Sequence, residues 1–589
     1  MGNNTTTTNI KVDQNILNQT ARTPYWNNGS AYSKADRNKF GLNGLIPSAI
    51  EDIEIQKQRA LLNLRRKEDP LEKYIFLANL RNTNVHLFYS LILDNFKEIT
   101  PLIYTPVVGQ ACQEYSNIQP FLGSIGNPDG LFISLNQLDQ LDELLDNYKN
   151  ALPYPHSNPE IAVITDGSRI LGLGDLGMNG MGIPVGKLQL YVGAAGVNPS
   201  KTLPITLDFG TNTKQIRDDP LYMGLRQERP NDDKFYDSVD KVLTAIKTKF
   251  PGILIQFEDF SSDHAFGLLD KYRNDLFCFN DDIQGTGAVI LSGFINAVKV
   301  SKVSAKDHKI VFLGAGSAGI GVARQIMDYF IIDGKMSEEE AKQKFWLIDS
   351  KGLITMDRGD KLSNQKQFFA RKDNNNQQFK NVEQVVDYVK PTVLIGLSSI
   401  SKAFNENVLK KMAKYNEKPI VFPLSNPATN AECSFEEAMK ATDSRVIFAS
   451  GTAFPEYKDD KDNKVYHPGQ GNNMYIFPGL GLGAILCKAG IVTDTMIYAA
   501  ASSLANSLNE EEKKQNWLYP DLKRIREVSA IVAAATINQA YKENLIEIKE
   551  LKEIGDDLEK LTQLVQKNMW NPNFVEPSHQ AINHQASHL

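Results

Sequence analysis

At 589 residues the chain exceeds what one hydrophobic core usually organises, so two to four domains are expected. Hydrophobic residues at 42% and charged residues at 23% make an ordinary globular composition, and a net charge of -6 with no basic stripe argues against nucleic acid as a partner. Four scattered cysteines, Cys112, Cys278, Cys433 and Cys487, form no C-x-x-C, and no apolar run reaches the roughly 18 residues of a membrane span, so a cytoplasmic protein without disulfides, zinc or membrane contact is expected.

Residues 1–25 are polar and low in complexity, a start that is disordered or given to oligomer contacts rather than to a core. The segment 26–130 reads as a helical N-terminal domain, with charged residues set among Leu, Ile and Phe at spacings of three and four from Ile50 to about Phe96. In Thr100-Pro-Leu-Ile-Tyr-Thr-Pro106 two prolines should end the helix and fix an extended loop around Tyr104. A helix from about Leu135 to Asn150 follows. After Pro159 come short β-branched runs broken by glycines, Ile161 to Thr165, Leu203 to Asp208 and Ile253 to Phe257, which predict an α/β domain over 131–280, joined by 473–545.

From Lys309 strands alternate with helices: Ile310 to Leu313, Phe345 to Asp349, Thr392 to Gly396, Ile420 to Leu424 and Val446 to Ser450. Such alternation predicts a parallel, doubly wound sheet over 281–472. Helical patterns return from about Thr493 to Gln566, and 546–589 reads as a helical tail with a polar end.

Two strand ends carry the strongest chemical signal. In Leu254-Ile-Gln-Phe-Glu-Asp-Phe260 and Cys278-Phe-Asn-Asp-Asp-Ile-Gln-Gly285 an apolar run stops at two adjacent carboxylates. Glu258, Asp259, Asp281 and Asp282 would repel one another unless a cation sat among them, and oxygen ligation suits Mg²⁺ or Mn²⁺, with His264 the only nearby nitrogen. Neighbouring side chains on an extended chain face opposite ways, so each pair gives one ligand unless the backbone turns.

Gly314-Ala-Gly-Ser-Ala-Gly319 follows a strand and opens a helix, the arrangement in which Gly314, Gly316, Ser317, Ala318 and Gly319 let backbone N–H groups approach a pyrophosphate. This is the nucleotide loop of a Rossmann-type domain. The next strand ends at Asp349, 30 residues after Gly319, an acid placed for a ribose hydroxyl beyond an insertion near Asp333. A second match, Gly172 to Gly177, runs into Met-Asn-Gly-Met-Gly and cannot open a helix of that kind; it reads as a loop close to a ligand. Nearby, Arg169 could clamp a carboxylate, and Lys187, rimmed by glycines, could act as a base beside a bound cation.

Taken together, Ile103-Tyr-Thr-Pro-Val-Val-Gly, Thr165-Asp-Gly-Ser-Arg, Gly182-Ile-Pro-Val-Gly-Lys187, Phe257-Glu-Asp-Phe, Phe279-Asn-Asp-Asp-Ile-Gln-Gly-Thr, Leu424-Ser-Asn-Pro and Gly469-Gln-Gly-Asn-Asn473 occur in order, and from about Asn28 to about Trp570 the chain resembles the malic enzymes, nearest the bacterial NAD-linked branch. The resemblance implies oxidative decarboxylation of L-malate to pyruvate and CO₂ by way of oxaloacetate, usually in a homotetramer, with a homodimer as the smaller alternative. It puts metal ligands on Glu258, Asp259 and Asp282, a supporting acid on Asp281, the C2 base on Lys187 and the C3 acid on Tyr104. Substrate contacts fall on Arg169, Asn426 and Asn473, with Asn426 also facing the cofactor. Asp349 favours NAD, while Lys351 and Lys366 keep NADP as the alternative, and Thr83 stands where some members carry an allosteric arginine. A malolactic enzyme would use the same residues to make lactate, and a non-catalytic nucleotide sensor would keep only the Gly314 loop.

Overall fold

The structure, a computed structural model, describes residues 20–123, 128–151, 158–170, 172–459, 461 and 463–575. The expected polar start up to residue 19 and the polar end from residue 576 lie outside the described residues. The chain divides into two compact units: one of residues up to Ala162, Asp175–Pro251 and from Trp570, the other of Val163–Gly174 and Gly252–Met569.

In the first unit the helical pattern from Ile50 to Phe96 is split into Ile53–Arg66, Pro70–Thr83 and Val85–Asp94. Short polar residues make the breaks: Asp52, Asp69 and Asn84 each turn a side-chain oxygen onto a backbone N–H of the helix that follows, and Pro70 takes a first-turn position where no N–H is needed. Pro101 does not end its helix as expected. It lies inside Phe96–Ile103, whose last turn closes through Tyr104 N–H to Thr100 O at 3.0 Å, a bond the proline leaves intact. Only Tyr104 to Pro106 separates it from the helix Val107–Gln113.

The strands β1 (Leu131–Ser134), β2 (Ile161–Thr165) and β3 (Thr202–Asp208) follow, and the border between the units falls within β2. In the first unit β1 and β3 run parallel, Leu131 opposite Ile205 through Ser134 opposite Asp208. Between β2 and β3 the segment expected as a glycine-rimmed loop at Lys187 is instead a helix, α1 (Gly182–Ala195), with all fourteen residues buried. Pro184 is tolerated in its first turn, and apolar residues on every face mark a core helix rather than a surface one.

In the second unit β4 (Leu254–Phe257) and β5 (Cys278–Asn280) pair in parallel, Ile255 opposite Cys278, and the end of β2 joins them through Glu258 N–H to Ile164 O at 2.9 Å. A wide, π-helical turn, Asp281–Gly285, leads into α2 (Thr286–Ser301). Asp281–Ser301 is long and apolar enough to cross a membrane, but most of it is buried inside the protein, as in a core helix.

The second sheet is built from β6 (Ile310–Leu313), β7 (Phe345–Asp349), β8 (Gly352–Leu353), β9 (Val393–Gly396), β10 (Ile420–Pro423), β11 (Ile447–Ser450) and, beyond the small hairpin β12 (Tyr457–Lys458) and β13 (Val465–Tyr466), β14 (Gly469–Gln470). Its order is β14-β11-β10-β9-β6-β7-β8, parallel except for the short β8. The order reverses between β6 and β9, so the carboxyl ends of those two strands form the crevice where doubly wound sheets bind ligands. After α3 (Ser317–Ile332) the expected insertion appears as a turn and the short helix Glu338–Lys342. Helices α4 (Phe477–Cys487), α5 (Asp494–Asn506) and α6 (Ile525–Lys542) complete the unit's helical layer.

Two histidines are sealed into these cores. Burial pushes the imidazoles of His86 and His308 down from 6.5 to about 4, so each is neutral in the native state where the unfolded chain would already be protonated. Above pH 6.5 both states are neutral and stability is intact. As pH falls from about 6.5 to about 4 the unfolded chain takes up protons the native state refuses, a loss of about 3 kcal/mol per histidine over that window. The urea midpoint should therefore fall between pH 7.5 and 5, and less so in the His308→Gln variant; an equal fall in both would remove the histidine from the account.

Candidate active site

Glu258 and Asp259 follow β4 directly, and Asp281 and Asp282 follow β5. The alternation that would have pointed neighbours apart is broken at one residue. Asp259 adopts φ 53, the left-handed conformation that a short polar side chain tolerates best, and its N–H donates to Asp282 Oδ2 at 2.7 Å. One carboxylate oxygen from each of Glu258, Asp259 and Asp282 then lies within 4.8 Å of the others. Glu258 and Asp259 are buried, and Gln256 Nε2 donates to Glu258 Oε2 at 2.8 Å, fixing that carboxylate's orientation. Three acids so close, two of them out of water, fit a divalent cation with oxygen ligands and cost the protein repulsion without one.

Asp281, the neighbour of Asp282 in the chain, is fully buried. Asn473 Nδ2 donates to its Oδ2 at 2.9 Å, and also reaches Thr286 Oγ1 at 3.0 Å. A side chain at Gly285 would put its Cβ 1.9 Å from Asp281 Oδ1, so the Gln284-Gly285 step leaves the room this acid occupies. Arg169 is exposed, tied to the segment after β4 by its own N–H to Asp259 O at 3.2 Å and by a guanidinium bond to Ser262 Oγ. Leu171, just before the glycine-rich decoy, lies outside the described residues, and the decoy itself forms turns rather than a helix start up to Gly177.

In the first unit Lys187 is 2% exposed, and its Nζ lies 5.3 Å from the centroid of the Tyr104 ring, which is itself buried. The close approach depends on the residue before the lysine: a Cβ at Gly186 would stand 2.9 Å from Ile103 O. An amine and a phenol held this close in a desolvated setting are two groups able to exchange protons with a molecule bound beside them.

At the reversal point of the second sheet Gly314 has φ 108, and a Cβ there would meet Leu397 O at 2.4 Å. The loops after β6 and β9 thus touch, and only glycine fits. A Cβ at Gly316 would face open space, leaving the start of α3 accessible; Ala318 and Gly319 continue that first turn, and Ser317 contributes its backbone. Asn426 is exposed just after β10. Sequence reasoning missed the group that ties these loops together. Glu432, fully buried, accepts from Ser398 N–H and Oγ at 2.9 Å and from Ser425 Oγ at 2.6 Å, joining the β9 loop to the residue beside Asn426. A lone acid in Ala431-Glu-Cys433 carries no signal of such a role.

Asp349 ends β7 as expected, but not as a bare acid. Arg358 grips both its oxygens, at 2.7 and 3.0 Å, and Lys366 Nζ lies 2.8 Å from Oδ2. Burial works to raise its pKa, but Arg358 and Lys366 outweigh it and bring the carboxyl down to about 2. Arg358 also holds Asp360, which Lys351 reaches at 3.1 Å. Three cations against two anions leave one positive charge at the position where a free acid was expected.

The family model for the malic enzyme N-terminal domain matches residues 81–273, and that for the malic enzyme NAD binding domain matches 283–541. The NADP-dependent malic enzyme of Dictyostelium discoideum is 50% identical over 529 residues, covering 90% of this chain and 94% of that protein. The chain belongs to the malic enzymes. As a malic enzyme it carries out metal- and NAD(P)-dependent oxidative decarboxylation of malate to pyruvate. The NADP-dependent malic enzyme of Rattus norvegicus is 42% identical over 525 residues, 89% of each chain. The fold is shared with the malic enzyme of Entamoeba histolytica, whose structure aligns with a TM-score of 0.52 at 23% identity over 94% of this chain and 97% of that one. These relatives correct the expectation of an NAD-specific enzyme: those between 41% and 50% identical are NADP-dependent malic enzymes. The physical reason the Asp349 argument failed is that its charge is already spent on Arg358 and Lys366.

Proposed function

We propose that this malic enzyme takes NADP, with Glu258, Asp259 and Asp282 holding Mg²⁺ or Mn²⁺, Lys187 as the base and Tyr104 as the acid. The observation that carries the cofactor choice is the clamped Asp349: with Arg358 and Lys366 on it, the end of β7 attracts rather than repels a 2′-phosphate. The names of the relatives support the same reading. When bound, NADP accepts the hydride from C2 and the divalent ion draws charge onto the C2 oxygen as CO₂ leaves. Lys187 takes the C2 hydroxyl proton. Tyr104 returns a proton to C3 of enolpyruvate, while Arg169 and Asn473 bind and orient the substrate and Asn426 faces both substrate and nicotinamide. A cytoplasmic setting belongs to the same proposal, supported by four buried cysteines, all unbridged.

Assays with L-malate and Mn²⁺, run in parallel with NAD and NADP, test this directly. NADP should give the higher kcat/KM, with reduced cofactor and pyruvate forming together rather than lactate. Arg358→Ala should raise the KM for NADP about tenfold, as expected for a lost charge-assisted contact, and change that for NAD far less. A wild-type preference for NAD, or an Arg358→Ala variant that treats both alike, would overturn the cofactor reading.

A further inference from the structure

We propose that the second unit carries a separate binding site for a small phosphate monoester, in a cavity of about 460 Å³ edged by Lys299, Lys302, Lys418 and Lys513. Lys418 stands two residues before β10, so the cavity lies at the amino ends of the strands, the opposite edge of the sheet from the loops after β6 and β9 that receive the cofactor. No acid lines it. Two helices, α2 and α5, end here, and the negative pole of each carries about half a charge. Glu510, outside the lining, pairs with Lys513 at 2.8 Å. These offset two of the four ammonium groups, Asp333 partly offsets a third through Lys299, and the excess of between one and two positive charges that remains is of the sign and size a phosphate monoester carries.

The cations are held, not merely scattered. Lys299 Nζ donates to Asn506 Oδ1 at 2.9 Å and Asn296 Oδ1 at 3.4 Å, and Lys418 Nζ reaches Val300 O at 3.5 Å. Burial, and then the like charge of Lys513, hold Lys299 below the usual ammonium range, with Asp333 acting the other way. An additional anion would relieve that repulsion. All four cations are lysines, point charges that suit a tetrahedral phosphate, whereas planar carboxylates are matched best by arginine forks. The other wall is apolar, Leu508 and Trp517, with the indole Nε1 buried and without a hydrogen bond, a surface for the carbon part of the ligand.

The test is calorimetric titration of the cofactor-saturated holoenzyme with glycerol phosphate, inorganic phosphate and succinate. Glycerol phosphate should bind at millimolar concentration or below, more tightly than inorganic phosphate or succinate, and Lys299→Ala/Lys418→Ala should weaken it at least tenfold with the KM for malate unchanged. Lys299 is exposed and Lys418 partly so, which lets the variant fold, and a melting curve within a few degrees of wild type checks it. Retained affinity in the double variant, loss of binding in Arg358→Ala instead, or succinate binding as tightly as glycerol phosphate would each overturn the proposal.

Discussion

Lys187→Ala should lower malate oxidation by about 10²- to 10⁴-fold, the usual cost of a missing general base, while decarboxylation of added oxaloacetate persists. The contrast follows from the chemistry: removing hydride from C2 requires the hydroxyl proton to leave, whereas losing CO₂ from a ready-made ketone does not. Tyr104→Phe provides the control, because it deletes the phenolic proton and almost no volume; it should slow ketonisation of enolpyruvate and leave oxaloacetate able to lose CO₂. The measurement is the ratio of malate oxidation, oxaloacetate decarboxylation and pyruvate reduction at saturating metal. Malate oxidation untouched in Lys187→Ala would place the base elsewhere, and equal depression of all three reactions in both variants would dissolve the division of roles.

Asp282→Asn should raise the apparent Mn²⁺ constant by about 10² or more, since a ligand anion is lost while the shape is kept. The same substitution has an opposite consequence without metal. Three carboxylates with oxygens inside 4.8 Å repel one another, so the metal-free variant should melt no lower than the metal-free wild type, and the stabilisation that Mn²⁺ confers should shrink. Unchanged metal dependence in both activity and melting would remove Asp282 from the ligand set.

The strand ends at Glu258 and Asp281 were legible because a buried strand announces its end by the first charges after an apolar run, and the Gly314 loop because a strand, three glycines and a helix are local neighbours. What sequence could not supply was anything set by a single dihedral or by distant partners. The φ of Asp259, which brings two adjacent acids together with Asp282, has no signature in Phe-Glu-Asp-Phe. The glycines before Lys187 suggested a loop, yet they serve the close packing of a helix. Asp349 was read in isolation; Arg358, nine residues on in Met-Asp-Arg-Gly-Asp360, reverses the sign of its neighbourhood, and only the fold of the chain after β7 brings the two together.

The burial of α1 on every face also bears on how this enzyme can change. A base carried on a loop can be moved by lengthening the loop, with the scaffold indifferent. Here Lys187 rides on a rod whose neighbours press it from all sides: a Cβ at Gly182 would sit 2.9 Å from Cys112 Sγ, as one at Gly186 would from Ile103 O. Its spacing from Tyr104 is therefore a dimension of the core, not of the surface. Substitutions that refill that core for thermal resistance will shift Lys187 as well, so with Lys187 as the base proposed above, robustness and turnover around α1 are a single trait, and engineering one without the other has to begin at residues that do not touch this helix.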